Sequence, residues 1–84
     1  MADATDLRLV DARDGEPVRI TSMSMDPQTT TWLGAIGLGV GERVVVLRRA
    51  LFSGPLHVRT DTGAELAVGH ALSKDIHVER VSDE

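Results

Sequence analysis

The stretch WLGAIGLGVGERVVVLRR, residues 32–49, decides how the rest of the chain is read. Gly34, Gly37, Gly39 and Gly41 fall just ahead of the aliphatic run Val44-Val45-Val46-Leu47. Such a stretch either cradles a phosphate or turns the chain from a short helix into a buried strand. A dinucleotide fingerprint, G-x-G-x-x-G, needs a strand before its glycines and a helix after them. Here the order is reversed, Glu42 stands where the third glycine belongs, and no G-K-[ST] follows. Amides not backed by a helix N-terminus make a poor anion site. These glycines therefore turn the chain.

Working outward, Thr29–Thr31 offers N-cap hydroxyls for a short helix carrying Leu33 and Ile36 on one side. Gly37 stands where a left-handed residue would close that helix. Glu42–Arg49 follows as a strand without clean alternation, as expected of a strand buried on both faces or strongly bent. Upstream, Pro17–Met25 alternates Val18 and Ile20 with Arg19 and Thr21, and reads as the first long strand. Downstream, Leu56 and Val58 mark a third strand after the Ser53-Gly54-Pro55 turn. Asp61-Thr62-Gly63 is a tight hairpin loop, Ala64–Val68 a fourth strand, Gly69–Lys74 a turn or single helical turn, and Asp75–Val81 the last strand. About five short strands and one brief helix between the first two long strands predict a mostly β, small closed barrel. One domain is expected over residues 7–81, with flexible tails at 1–6 and 82–84.

Composition sharpens this expectation. The chain has 84 residues, one Trp, one Phe, no Tyr and no Cys, so the core is aliphatic and thiol chemistry is excluded. A net charge of −4 opposes general nucleic-acid binding. No apolar stretch approaches the roughly 20 residues of a membrane span, and MADATDLRL lacks the n- and h-regions of a signal peptide. The chain reads as a soluble, acidic, cytoplasmic domain.

The motif order resembles one family. Gly15-Glu16 precedes Val18-x-Ile20, Leu33-x-x-Ile36-Gly37-Leu38-x-x-Gly41 precedes the aliphatic strand, and Gly54-Pro55-Leu56, Glu65-Leu66-Ala67-Val68 and Ile76-His77-Val78 follow in order. From about Leu7 to Val81 this is similar to the ferrous iron transport protein A (FeoA) family. Trp32, Val40 and Ser73 stand where that family usually has Arg, Pro and often Ala. The resemblance implies an SH3-like β-barrel, also found as the C-terminal domain of iron-dependent repressors. It further implies an accessory role in ferrous iron uptake, with the cytoplasmic GTPase region of a membrane ferrous iron permease as partner. Membrane association would then be indirect, through the permease; no nucleic acid is expected, and homo-oligomerisation is left open. The second implied reading is a stand-alone repressor-type barrel serving protein interaction or self-association in metal homeostasis.

The chemistry-bearing residues point away from catalysis. His57 and His77 alternate with core aliphatics, His70 lies in a turn, and none stands at metal-ligand spacing. No metal, cofactor or catalytic residue is expected. An arginine finger for the partner's GTPase would need Arg43, Arg48 or Arg49 on an ordered exposed loop, whereas all three lie on or beside a strand. Protein–protein contact remains, with Trp32 and Phe52 as the only large aromatic anchors. Trp32, Leu33 and Leu38 around the helix and Leu51 and Phe52 at the following loop form the expected apolar docking set. Arg48 and Arg49 are its expected charged rim.

Overall fold

The structure is a computed structural model that describes residues 7–81; the expected tails at 1–6 and 82–84 lie outside the described residues. Strands β1 (Leu7–Arg8), β2 (Pro17–Met23), β3 (Arg43–Arg49), β4 (Leu56–Thr60), β5 (Glu65–Val68) and β6 (Ile76–Arg80) make one antiparallel sheet in the order β1-β6-β2-β3-β4-β5. A 3-10 turn, Leu9–Asp11, follows β1; helix α1 (Pro27–Ala35) lies between β2 and β3, and α2 (His70–Ser73) between β5 and β6. The sheet thus has six strands rather than five. The extra one, β1, is two residues long and exists through its pairing with β6. Hydrogen bonds do not close the ring: β1 and β5 remain as edges.

Two irregularities curl the sheet. The β2–β6 register shifts between Ile20 and Ser22, and the β3–β4 register between Val46 and Arg48. Each inserts a residue on one strand, which bends it and increases its twist. In Val44–Leu47 burial alternates although the residue types do not: Val44 and Val46 are buried, Val45 and Leu47 are half-buried on the other face, and the second irregularity falls at Leu47. Inward-facing Val18, Ile20, Val44, Val46, Leu56, Val58, Ile76 and Val78 join Leu9, Leu33 and Leu38 in an aliphatic core. Two polar side chains are buried with them. Ser73 Oγ donates to the His70 carbonyl at 2.7 Å, and Thr60 Oγ1 meets Thr62 Oγ1 at 3.1 Å. Among the described residues no buried side-chain polar atom lacks a partner.

Helix α1 is held by its ends. Its cap is Asp26 rather than the threonines: Asp26 Oδ2 accepts from the Thr29 amide at 3.0 Å, and the Thr29 hydroxyl donates to Asp26 Oδ1 at 2.7 Å. Pro27 at the first helical position completes this start. At the other end Leu38 N–H donates to Leu33 O and Gly37 N–H to Gly34 O, the paired bonds of a Schellman stop. Gly37 takes φ +98°, and a Cβ there would stand 3.3 Å from Thr60 Cγ2. The hydrophobic contact that accompanies such a stop is the buried pair Leu33 and Leu38.

The cap hydrogen bonds hold the Asp26 carboxyl below its ordinary value, and Glu65 is likewise lowered by its bonds from Arg59 and then His57. A carboxylate depressed by folding stabilises fully above its unfolded pKa and loses that contribution as pH falls through the folded one. Stability drawn from both groups is therefore expected to be constant above about pH 5 and to decline below about pH 4. Melting curves of the wild type and Asp26→Asn from pH 7 to 3 check this. The variant keeps a cap acceptor without the charge and should show the shallower acid decline.

Candidate partner-binding site

An apolar groove of about 270 Å3 lies between α1, β5 and α2. Trp32 and Ile36 come from α1, Leu66 and Val68 from β5, and Leu72 from α2, with Leu33 and Leu38 between them. Trp32 is 58% exposed and forms the rim. Leu33 and Leu38, expected as docking residues, are 1% and 0% exposed, so they belong to the core and serve the groove as its floor. The Schellman stop places Leu38 there, directly beneath the helix. Beyond the groove, β5 is a sheet edge with no further strand paired to it among the described residues.

Leu51 and Phe52 lie elsewhere, in the β3–β4 loop, at 79% and 97% exposure. They are not part of the α1 groove. The two arginines at the end of β3 diverge. Arg49 turns back onto the segment after β1: Nη1 donates to Val10 O at 2.6 Å, Nη2 to Ala12 O, and Nε to Asp14 Oδ1 at 3.0 Å. Arg49, expected in the rim, thus stitches two chain segments together. Arg48 stays on the outer face, with Nη1 3.4 Å from His57 Nδ1 and no carboxylate partner among the described residues.

Three side-chain pairings are invisible in linear spacing. His57 Nε2 lies 3.1 Å from Glu65 Oε1, and Arg59 Nη2 lies 3.4 Å from Glu65 Oε2, because β4 and β5 pair Arg59 with Glu65 and leave His57 on the diagonal. Ser24 Oγ lies 3.0 Å from His77 Nε2, which brings a hydroxyl and an imidazole together across 53 residues of sequence. That pair is exposed, no third side chain bonds His77 Nδ1 among the described residues, and none of the three principal recesses includes it. It lacks the orienting group and the substrate pocket that nucleophilic catalysis requires. Among the described residues no three metal-ligating side chains converge, and no helix is long and apolar enough to cross a membrane.

The family model of the FeoA domain matches residues 7–80. No curated protein matches the chain. The solution structure of the FeoA protein from Chlorobium tepidum superposes with a TM-score of 0.82 at 26% identity, over 93% of this chain and 74% of that one. A manganese-dependent transcriptional repressor in complex with manganese superposes with a TM-score of 0.80 at 30% identity, over 90% of this chain and 37% of the repressor. A second manganese-dependent repressor gives 0.80 at 27% identity, over 96% of this chain and 45% of its own length. This chain thus spans less than half of each repressor. The SH3-like fold expected from the sequence is the fold present.

Proposed function

Because the chain belongs to the FeoA family, we propose that it is a cytosolic accessory protein of ferrous iron uptake that binds the GTPase region of a membrane ferrous iron permease. The observation that carries this reading is the groove between α1, β5 and α2: an aromatic rim at Trp32, an aliphatic floor, and alongside it a strand edge unpaired among the described residues. A partner's apolar side chain or helix fills such a groove, and an extended segment adds to such an edge. Exposed Trp at the margin of a preformed recess is the residue type that dominates binding energy at interfaces.

Amide NMR titration with the soluble GTPase region of such a permease tests the reading. Saturable shifts are expected at Trp32, Ile36, Leu66 and Leu72. Trp32→Ser should weaken binding at least tenfold while leaving Tm within a few degrees of the wild type, since the indole is mostly in solvent. If no resonance moves at high micromolar partner, with or without a GTP analogue, docking on this region is wrong. The 30% identity to a repressor's domain supports a second reading, self-association through the β5 edge. Sedimentation equilibrium decides it, a concentration-dependent dimer being the expected sign.

A further inference from the structure

We propose that the β3–β4 loop, with Leu51 and Phe52 at its tip and Arg48 at its stem, docks directly onto an anionic phospholipid surface, independently of the α1 groove. The first observation is backbone conformation. Phe52 and Ser53 have φ of 59° and 61°, and they are the only non-glycine residues with positive φ among the described residues. The left-handed region disfavours a bulky side chain and suits Gly or Asn. Folding is therefore indifferent or averse to Phe at this position, and its ring, 97% exposed, packs on nothing. A strained residue with no internal contact points to an external one. Leu51, 79% exposed beside it, makes the tip a contiguous apolar pair.

The second observation is charge. A recess of about 220 Å3 opens at the base of the tip, lined by Arg48, Arg49, Ala50, Pro55 and His57 among others. The acidic side chains bonded at this end are already engaged, Asp14 by Arg49 and Glu65 by His57 and Arg59. Arg48 has no acidic partner among the described residues. Asp61, in the turn after β4, lies at the far end of that strand, some 15 Å away at ~3.3 Å per residue. That distance exceeds the ~8 Å over which charges act through physiological salt. The unpaired charge behind the tip is thus the single cation of Arg48, although the whole chain carries −4.

Two adjacent apolar side chains projecting from a hairpin, with the free Arg48 guanidinium one step behind, match the layering of a bilayer surface. The apolar tip enters the acyl boundary while Arg48 stays at phosphate level. The recess beside Arg48 and His57 has room for a phosphate group at that depth. A single loop with two inserted side chains binds weakly and reversibly.

The test uses the whole chain with large unilamellar vesicles of phosphatidylcholine and phosphatidylglycerol in equal parts, and of phosphatidylcholine alone. Co-sedimentation at millimolar lipid should occur with the anionic vesicles and fall at least tenfold with the neutral ones. Phe52→Asn, which suits the left-handed backbone, should keep or raise Tm yet lose at least tenfold in vesicle binding. Arg48→Gln should lose severalfold and weaken the salt dependence. A single-tryptophan reporter, Phe52→Trp in a Trp32→Phe background, should shift its emission to the blue only with anionic vesicles. The proposal is overturned by absent sedimentation at millimolar anionic lipid, or by Phe52→Asn binding like the wild type. Amide shifts at Arg48 and His57 that saturate with inorganic phosphate while vesicles have no effect would equally overturn it. So would a Phe52-dependent dimer in sedimentation velocity without vesicle binding.

Discussion

Leu38→Ala should destabilise the protein by about 3 kcal/mol, the cost of emptying a fully buried leucine site. In a domain of this size that corresponds to a fall of about 15 °C in Tm. Leu38 is 0% exposed, lies under α1 next to Leu33, and its amide closes the helix by donating to Leu33 O at 2.8 Å. The main-chain bond survives the substitution, so the loss is that of packing. The neighbouring walls have little freedom to collapse, because Gly37 is held against Thr60 and Leu33 is anchored by its own helix. Leu38→Met keeps the volume and should cost less than about 1.5 kcal/mol. Trp32→Ala, at the rim of the same groove, should change Tm far less. Thermal melts of the three variants separate the groove's floor from its rim. A Leu38→Ala protein melting within 3 °C of the wild type would show that the site is not core.

That contrast shows where sequence reading stops. Trp32, Leu33 and Leu38 form one apolar cluster in the sequence, and only the helix phase and the stop at Gly37 divide it into an exposed rim and a buried floor. The stop itself was legible, since Gly at C′ followed by an apolar residue is a local signal. The start was read one step late. The threonines at 29–31 suggest a cap, but Asp26 caps α1 and Pro27 supplies its first residue, ahead of them. Strand β1 was illegible because two residues carry no periodicity and pair only through β6, about 70 residues away. The bulges after Ile20 and Val46 were illegible for a related reason, since register belongs to pairs of strands and not to one strand. His57 and Glu65 meet for the same reason. For Leu51 and Phe52 sequence alone does not settle exposure, because an apolar residue in a core-poor domain serves equally well as plug or patch. The left-handed backbone at Phe52 turns the ring out, and no local motif announces it.

Arg49→Ala should lower stability by about 2 kcal/mol, an effect that its position at a strand end gives no reason to expect. Its guanidinium binds Val10 O, Ala12 O and the Asp14 carboxylate, joining the end of β3 to the segment that follows the 3-10 turn. The ion pair alone contributes little, because both side chains are substantially in solvent. The carbonyls matter more. The bond to Ala12 O is partly buried, and removing the donor leaves an acceptor that water reaches poorly. Leu9 and Ala12, both buried, pack from this same segment, so loosening it exposes core. Main-chain ties nearby include Ala12 N–H to Leu9 O at 3.0 Å and Gly15 N–H to Val46 O at 2.7 Å. Asp14→Ala should therefore cost less than about 1 kcal/mol, whereas Arg49→Lys should recover only part of the loss, since an ammonium cannot reproduce the planar fork. Hydrogen exchange locates the effect: the Ala12 and Gly15 amides of Arg49→Ala should lose protection before those of β4. If instead Arg49→Ala and Asp14→Ala melt together near the wild type, the stitch is ornamental and the segment is held by Leu9 and Ala12 alone.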